Sequence, residues 1–334
     1  MNALDNTLEF RGWGGDLMSE QGVDVVKHYR DLAFMGFIEV LMNLKTILGN
    51  LKRCKEDISL YRPDYVILVD YPGFNLRIAE FLKQEGIPVV YYISPQVWAW
   101  KKNRVHKIKR DVDLMMTILP FEADFYKDYD FDVTYVGHPM LDAISVDTES
   151  KNYIALLPGS RKQEIEKILP VMNQVVKRFP DQDFVLGMAP SRKRSEYEAL
   201  IDSPNISLSE EGTSTVLNGA DAALVTSGTA TLETALYEVP QVVCYKGSYI
   251  SYLIAKSVVD IKYISLVNLI MDDELVKELI QGDLNVENLH KHLLKIMPNS
   301  AGSIAQKQGY KELKQKLGGV GASKRAAQRI LELF

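Results

Sequence analysis

The feature that most constrains the fold of this 334-residue chain is a repeated alternation of short apolar runs with longer helical patterns. The apolar runs are rich in β-branched and aromatic residues, as buried strands require. Parallel strands need a crossover helix between them, so the alternation predicts an α/β protein. The predicted strands lie in YVILVD (65–70), VVYYIS (89–94), LMMTIL (114–119), VTYVG (133–137), YIALLPGSR (153–161), DFVLGMA (183–189), AALVT (222–226) and QVVCY (241–245).

The series has one clear break. SVDTESKN (145–152) is polar and contains no apolar run, which indicates a linker. We therefore predict two Rossmann-like domains, residues 1–147 and 148–334, with closing helices in the tail from about Gly302. The first domain lacks the strand and Gly-rich loop that usually open such a domain, since its first strand candidate is LEFRGW (8–13).

Composition excludes several classes of protein. A net charge of -5 argues against binding nucleic acid over the whole surface. Cys54 and Cys244 form no CxxC pattern and the opening has no secretion signal, which predicts a cytoplasmic protein. The longest apolar stretch (32–44) is too short and polar to span a bilayer, and we expect a buried helix there, with an acyl-chain surface as the alternative. No combination of Cys, His and carboxylate residues has metal-ligand spacing, so we expect no metal site.

Polar residues follow the predicted strands, at the edge where open α/β sheets bind ligands. Asp70 ends a buried strand and precedes a Tyr-Pro-Gly turn. Because Asn75 is the better N-cap for the next helix, Asp70 is a candidate general base, with a turn or cap aspartate as the alternative. His138 lies in a Gly-His-Pro turn, where it is either a hinge or a site residue.

Two strand-to-helix connections in the second half favour phosphate. In LPGSR (157–161), the glycine lets backbone N–H groups approach a ligand, the helix start attracts an anion, and the arginine can bind it. TSGTATLE (226–233) repeats the arrangement, and its glutamate could accept two ribose hydroxyls. Each motif alone has an ordinary structural explanation, as a βα turn or a helix cap. Together they predict a site for a diphosphate.

A basic segment follows two tryptophans. KKNRVHKIKR (101–110) has six Lys or Arg residues directly after Trp98 and Trp100. An anionic membrane surface attracts basic residues beside amphipathic aromatic ones. A solvated helix face explains the segment equally well.

Several strings along the chain resemble the lipid-A-disaccharide synthase family. The most specific are SPQVWAW (94–100) and TSGTATLE, and their order is right. The others are FRGWGGDLM (10–18), DLAFMGFIEVL (31–41), VGHPMLDAI (136–144), LLPGSRKQEI (156–165) and ISLVNLIMDDELVKELIQ (264–281). The resemblance implies a GT-B glycosyltransferase of two Rossmann-like domains, without a metal or cofactor. It implies that UDP-2,3-diacylglucosamine is joined to 2,3-diacylglucosamine 1-phosphate with inversion and release of UDP.

The resemblance also implies roles for residues of this chain. Asp70 would be the catalytic base. Acceptor-binding residues would be Phe74, Asn75, Ser94 and Trp98. Residues binding the UDP donor would be Gly159, Ser160, Arg161, Ser227, Gly228, Thr229, Glu233, Asn268, Glu278 and Gln281. The lipid substrates imply a peripheral protein on the cytoplasmic face of the inner membrane, with no nucleic-acid partner.

One departure from the family pattern bears on activity. Family members open with a strand and a glycine-rich loop that precede the residues seen here. We therefore expect this 334-residue form to have weak or no synthase activity. The alternatives are another UDP-sugar GT-B protein, such as the peptidoglycan glycosyltransferase or a UDP-sugar epimerase, and a nucleotide-binding protein without turnover.

Overall fold

The structure is a computed structural model, and it describes residue 1 and residues 3–31, 44–146, 151–248 and 261–333. The described chain divides into two compact units. The first comprises Met1–Ile118, Glu122–Val136 and Ala322–Phe334, and the second comprises Leu119–Phe121 and Gly137–Gly321. Most of the apolar stretch 32–44 lies outside the described residues, so its predicted helix stays a prediction.

The first unit contains a four-stranded parallel sheet in the order β3-β4-β5-β6 and a separate parallel pair, β1-β2. Its strands are β1 (Arg11–Gly14), β2 (Asp24–His28), β3 (Val66–Val69), β4 (Val89–Tyr92), β5 (Leu114–Thr117) and β6 (Thr134–Tyr135). Its helices are α1 (Asp16–Glu20), α2 (Leu44–Tyr61), α3 (Pro72–Glu85), α4 (Arg104–Asp111), α5 (Glu122–Lys127) and, near the chain end, α14 (Ala322–Leu331).

The core of the first unit lies between the sheet and its helices. Helix α3 buries Ile78, Ala79 and Leu82 completely, because these positions recur at helical spacing on one face. Gly86 ends α3 in a left-handed conformation, as a glycine C-cap does. A second cluster of buried residues, which joins α14 to Val90, covers the other face of the sheet.

The second unit contains a six-stranded parallel sheet in the order β12-β11-β10-β7-β8-β9. Its strands are β7 (Tyr153–Leu157), β8 (Asp183–Gly187), β9 (Ile206–Ser209), β10 (Ala220–Thr226), β11 (Gln241–Tyr245) and β12 (Lys277–Ile280). Its helices are α6 (Met140–Ala143), α7 (Lys162–Val176), α8 (Arg194–Glu198), α9 (Thr213–Leu217), α10 (Thr229–Leu236), α11 (Leu266–Met271), α12 (Val286–Leu294) and α13 (Ala301–Lys316).

The strand order of the second unit reverses once. The chain starts at β7, adds β8 and β9 on one side, and then crosses to β10 on the other side of β7. Strands β7 and β10 are neighbours, and the connections that follow them therefore run to opposite sides of the sheet. Such a switch point is where open α/β sheets bind ligands.

The predicted α/β fold with parallel sheets is confirmed. Strands β2, β9 and β12 were not predicted, because they are short and carry charged or hydroxyl side chains such as Lys277 and Ser207. The first strand begins at Arg11, three residues later than LEFRGW proposed. Leu8 and Phe10 lie outside any strand, and both are partly buried.

The division into units differs from the predicted boundary at residues 147 and 148. Residues 137–146 group with the second unit, where the Asp142 carboxylate accepts a hydrogen bond from the Gly321 N–H. Helix α14 groups with the first unit, because Ala326 and Ile330 pack against Val90 and Met116 of its sheet. Polarity marks where a chain is exposed, but it does not reveal which core a later helix joins.

Candidate active site

The connection from β7 to α7 requires a glycine. Gly159 has φ +107°, and a Cβ there would lie 2.7 Å from Oε2 of Glu164 and 3.3 Å from Cγ2 of Thr226. No other residue fits this conformation and this space together. The backbone at Gly159 is thus open to close approach by a ligand.

The start of α7 places backbone N–H groups beside an arginine. Glu164 accepts a hydrogen bond from the Arg161 N–H at 3.4 Å and pairs with its guanidinium at 2.8 Å. The Arg161 side chain is 75% exposed. The first N–H groups of a helix have no partner within it, and the positive end of its dipole favours an anion. An exposed guanidinium beside them suits a phosphate.

The connection from β10 to α10 lies beside this one, since β10 and β7 pair directly. Gly228 and Thr229 are exposed at the helix start. The Ser227 hydroxyl donates to the Ile264 carbonyl at 3.0 Å, which fixes the connection against the loop before α11. The six predicted residues of the two connections thus occupy one edge of the sheet, at its switch point.

Thr226 is a residue that sequence reasoning missed. It ends β10, it is 5% exposed, and within the described residues its hydroxyl has no hydrogen-bond partner. Buried hydroxyls are usually paired, so this group is available to a ligand. Its place as the first residue of the TSGTATLE string was the available signal.

Glu233 lies in the second turn of α10 and is partly buried. Burial raises the pKa of its carboxyl. A carboxyl at this depth is compatible with the predicted contact to ribose hydroxyls, which stays a prediction.

Asn268 and Glu278 hold the loop before α11 in place. The Glu278 carboxylate accepts hydrogen bonds from the Ile264 and Ser265 N–H groups at 3.0 and 2.9 Å. Asn268 is fully buried, and its amide bonds to both backbone groups of Val276 at 2.8 and 2.9 Å. Both side chains were expected to contact the UDP donor, but in the structure they already make hydrogen bonds within the protein.

Gln281 differs from these two residues. It has φ 53° directly after β12, and its side-chain Nε2 is buried without a hydrogen-bond partner among the described residues. An unpaired buried amide donor is unfavourable unless something accepts from it. Of the three predicted residues in this segment, Gln281 alone keeps a side-chain N–H group available to the UDP-sugar.

In the first unit, Asp70 is exposed at the carboxyl end of β3. The protein packed around it raises the pKa of its carboxyl, and a hydrogen bond from the Tyr71 N–H partly offsets the rise. A carboxylate that meets solvent and has a raised pKa suits a general base.

The turn at Asp70 differs from the sequence expectation. Helix α3 begins at Pro72 with Tyr71 as its N-cap, so the expectation of Asn75 as N-cap is wrong. Asn75 lies inside the helix, and its side-chain amide donates to the carbonyls of Val69 and Asp70 at 3.0 and 2.8 Å. Proline is favoured in a first turn because the missing N–H needs no partner there.

The other predicted acceptor residues are mostly buried. Phe74 packs against Trp13 with ring centroids 5.8 Å apart. The Ser94 hydroxyl is buried and lies 2.8 Å from that of Tyr126. Trp98 is 9% exposed. The contact of Ser94 and Trp98 with an acceptor stays a prediction.

The basic segment divides into two parts. On α4, Lys107 and Arg110 pair with Glu80 at 2.6 and 3.1 Å, so their charges are used within the unit. The Lys101 ammonium and the Arg104 guanidinium lie over the ring of Trp100, at 4.3 and 5.7 Å from its centroid. Trp100 is 44% exposed, which makes this cluster the part of the segment that suits a membrane surface.

The described residues contain no group of three or more His, Cys, Asp or Glu residues arranged to hold a metal ion. They also contain no helix that combines the length and apolarity needed to cross a bilayer.

Comparison with known proteins decides the family. The sequence model of the family described as Lipid-A-disaccharide synthetase matches residues 1–332. The chain belongs to the lipid-A-disaccharide synthase family. A lipid-A-disaccharide synthase of Syntrophus aciditrophicus (strain SB) is 40% identical over 346 residues, covering 98% of this chain and 90% of the relative. One from Myxococcus xanthus (strain DK1622) is 39% identical over 345 residues, with the same coverage.

Membership in the synthase family makes the protein a glycosyltransferase that forms the lipid A disaccharide. Solved structures share its GT-B fold. The glycotransferase of kitacinnamycin has a TM-score of 0.64 at 14% identity, covering 98% of this chain and 92% of that one. The UDP-GlcNAc 2-epimerase from Neisseria meningitidis, bound to UDP-GlcNAc, has a TM-score of 0.60 at 13% identity, covering 95% and 88%. At such identities the likeness concerns the fold alone.

Proposed function

We propose that this protein joins UDP-2,3-diacylglucosamine to 2,3-diacylglucosamine 1-phosphate. The oxygen of the acceptor 6-hydroxyl attacks the anomeric carbon of the donor, and the bond from that carbon to the UDP oxygen breaks. The hydroxyl proton passes to the Asp70 carboxylate, and UDP leaves with the bonding electrons. Attack from the face opposite UDP inverts the anomeric carbon.

The observation that carries the donor assignment is the pair of helix starts at the switch point of the second unit. Helices α7 and α10 begin after neighbouring strands, and each start has a glycine in its connection. Backbone donors and the exposed Arg161 suit the two negative phosphates of UDP. We propose that Thr226 and Gln281 add side-chain donors to this site, because both are buried without a protein partner in the described residues.

The assignment of Asp70 as base rests on its position and its pKa. Its carboxyl is exposed beyond β3, and its pKa is raised above the ordinary value of 3.8. A base acts only when it is deprotonated, so activity should fall as the pH drops through this raised pKa. Phe74 would contribute an apolar surface to the acceptor at the same turn.

The acyl chains of both substrates require work at a lipid surface. We propose that the protein is peripheral, on the cytoplasmic face of the inner membrane, with the cluster of Trp100, Lys101 and Arg104 as one contact. Each basic residue near an anionic surface contributes about 1 kcal/mol. Flotation with anionic vesicles should show weaker binding of Lys101→Ala/Arg104→Ala than of Lys107→Ala/Arg110→Ala, since Lys107 and Arg110 are already paired with Glu80.

The proposal is tested by incubating the full chain with both lipid substrates. The sequence analysis predicts weak or no synthase activity, whereas membership in the synthase family favours turnover. We therefore expect UDP release and a product whose mass equals one donor plus one acceptor less UDP. Calorimetry with UDP is the parallel measurement. UDP binding without product would indicate a nucleotide-binding protein without turnover, whereas an epimerised donor would indicate a different UDP-sugar enzyme. Either result contradicts the proposed reaction for this chain.

A further inference from the structure

The turn that carries Asp70 has an unusual backbone. Asp70 and Tyr71 are consecutive, neither is glycine, and their φ angles are 44° and 45°. Residues with a Cβ avoid this left-handed region, and they adopt it in succession only where the surrounding structure enforces it. The turn therefore needs specific contacts to hold it.

Two side chains supply these contacts through one carbonyl group. The Tyr91 hydroxyl donates to the Asp70 carbonyl oxygen at 2.6 Å, and the Asn75 amide donates to the same oxygen at 2.8 Å. The Asp70 N–H in turn donates to the Tyr92 carbonyl at 3.0 Å. Both polar backbone groups of Asp70 are thus hydrogen-bonded, and its carbonyl oxygen accepts two hydrogen bonds.

Tyr91 is placed for this contact by the sheet. It lies on β4, which pairs with β3 and sets Leu68 opposite Tyr91. Its ring is fully buried in the core beside Ile78 and Leu82. A buried ring has few alternative rotamers, so its hydroxyl stays at the carbonyl.

We propose that Tyr91 is a positioning residue for the reaction, whose hydroxyl holds the Asp70 turn in its left-handed conformation and so keeps the Asp70 carboxylate at the place where it takes the proton. The inference rests on the proposed role of Asp70 as base. Tyr91 acts through the backbone of Asp70 and touches no substrate. Asn75 supports the same carbonyl, and the tyrosine hydroxyl is the donor that comes from a different strand.

The test compares Tyr91→Phe with Tyr310→Phe. Tyr310 is an equally buried tyrosine of the second unit, whose hydroxyl donates to Gln306 at 2.8 Å. We expect Tyr91→Phe to lower kcat about tenfold to a hundredfold while KM for both substrates changes less than twofold. We expect Tyr310→Phe to leave kcat within twofold, although it lowers Tm.

The pH profile separates positioning from packing. With the turn released, Asp70 gains water, and its pKa falls toward the ordinary value. The acidic limb of the kcat profile of Tyr91→Phe should therefore move to lower pH than in the parent protein. An unchanged kcat, or a lowered kcat with an unmoved acidic limb, would overturn the inference.

Asp70→Asn distinguishes failure of the inference from failure of the proposed function. If Asp70→Asn keeps full kcat, the base assignment itself is wrong. If Asp70→Asn keeps only a small residual kcat, Asp70→Asn/Tyr91→Phe should be no slower than Asp70→Asn alone, because Tyr91 acts through Asp70. Additive losses would contradict this. A crystal structure of Tyr91→Phe supplies a readout besides activity: φ of Asp70 and Tyr71 should leave the left-handed region, and unchanged angles would refute the proposal.

Discussion

At the carboxyl edge of each sheet the backbone makes a sharp turn at positive φ, but the two turns are stabilised differently. In the second unit, glycine provides the sharp backbone beside a helix start, at Gly159 with φ +107°. In the first unit, Asp70 and Tyr71 adopt positive φ without glycine, and hydrogen bonds from Tyr91 and Asn75 hold them there. The turn in the second unit depends on a residue without a side chain. The turn in the first unit depends on side chains that donate hydrogen bonds to the backbone.

The difference follows from what each edge must present. An anion site needs exposed N–H groups, and any Cβ is an obstacle to a phosphate. A base needs a carboxylate, which glycine cannot provide, so the strain of a left-handed residue must be accepted at about 1–2 kcal/mol per residue.

The largest effect is expected from Asp70→Asn. The amide keeps the size of the side chain but accepts no proton, so kcat should fall about a thousandfold. The Kd for UDP, measured by calorimetry, should stay within twofold, because the donor site is assigned to the other unit. A similar loss of UDP affinity would break the division of roles between the two edges.

Next in size is Gly159→Ala. The new Cβ meets Oε2 of Glu164 at 2.7 Å and strains a backbone at φ +107°, so we expect the Kd for UDP to rise roughly tenfold or more. Gly212→Ala is the matched control, since Gly212 also has a positive φ, +86°, and no atom lies within 4 Å of its added methyl group. Equal UDP affinity of Gly159→Ala and the parent would show that the backbone of this connection does not approach the nucleotide.

Acid should weaken the second unit through His138. Burial lowers the pKa of this histidine from 6.5 to about 4, and its Nδ1 accepts a hydrogen bond from the Met140 N–H at 3.3 Å. The unfolded chain binds the proton more readily, so the free energy of unfolding should fall by up to about 3 kcal/mol as the pH drops from 6.5 to 4.

The measurement of this acid effect exploits the tryptophans. Trp13, Trp98 and Trp100 are the three tryptophans of the chain, and all lie in the first unit. Denaturant unfolding followed by circular dichroism should lose stability in acid ahead of unfolding followed by tryptophan fluorescence. His138→Gln should reduce the pH dependence of the free energy of unfolding that is measured by circular dichroism. Identical slopes in His138→Gln and the parent would exclude His138 as the cause.

The smallest effect is expected from Gly86→Ala in the first unit. Gly86 has φ +70° and open space around its Cβ position, so only backbone strain is added. The free energy of unfolding should fall by about 1 kcal/mol, with kcat unchanged. A loss of kcat as large as that of Tyr91→Phe would indicate that the Asp70 turn responds to any strain in α3, rather than to its own hydrogen bonds.

Much of the fold was predictable because it depends on local patterns. The strands β3, β4, β5, β7, β8, β10 and β11 are short apolar runs, as strands of parallel sheets are. Strand β3 is less buried than the sequence predicts, since only Leu68 is buried and Val69 is 50% exposed. The positions of Asp70, LPGSR and TSGTATLE after strands followed directly from that reading. The edge strands β9 and β12 were missed, since their partly exposed sequences carry no such pattern.

The sequence by itself determined that the chain forms parallel α/β sheets, which residues follow the strands, and which family the chain resembles. The tertiary structure alone decided that β10 returns to the side of β7, that α14 joins the first unit, and that Tyr91 meets the carbonyl of Asp70. These are contacts between residues far apart in the chain. Local composition fixes what an element is, whereas the packing of whole faces fixes which elements become neighbours.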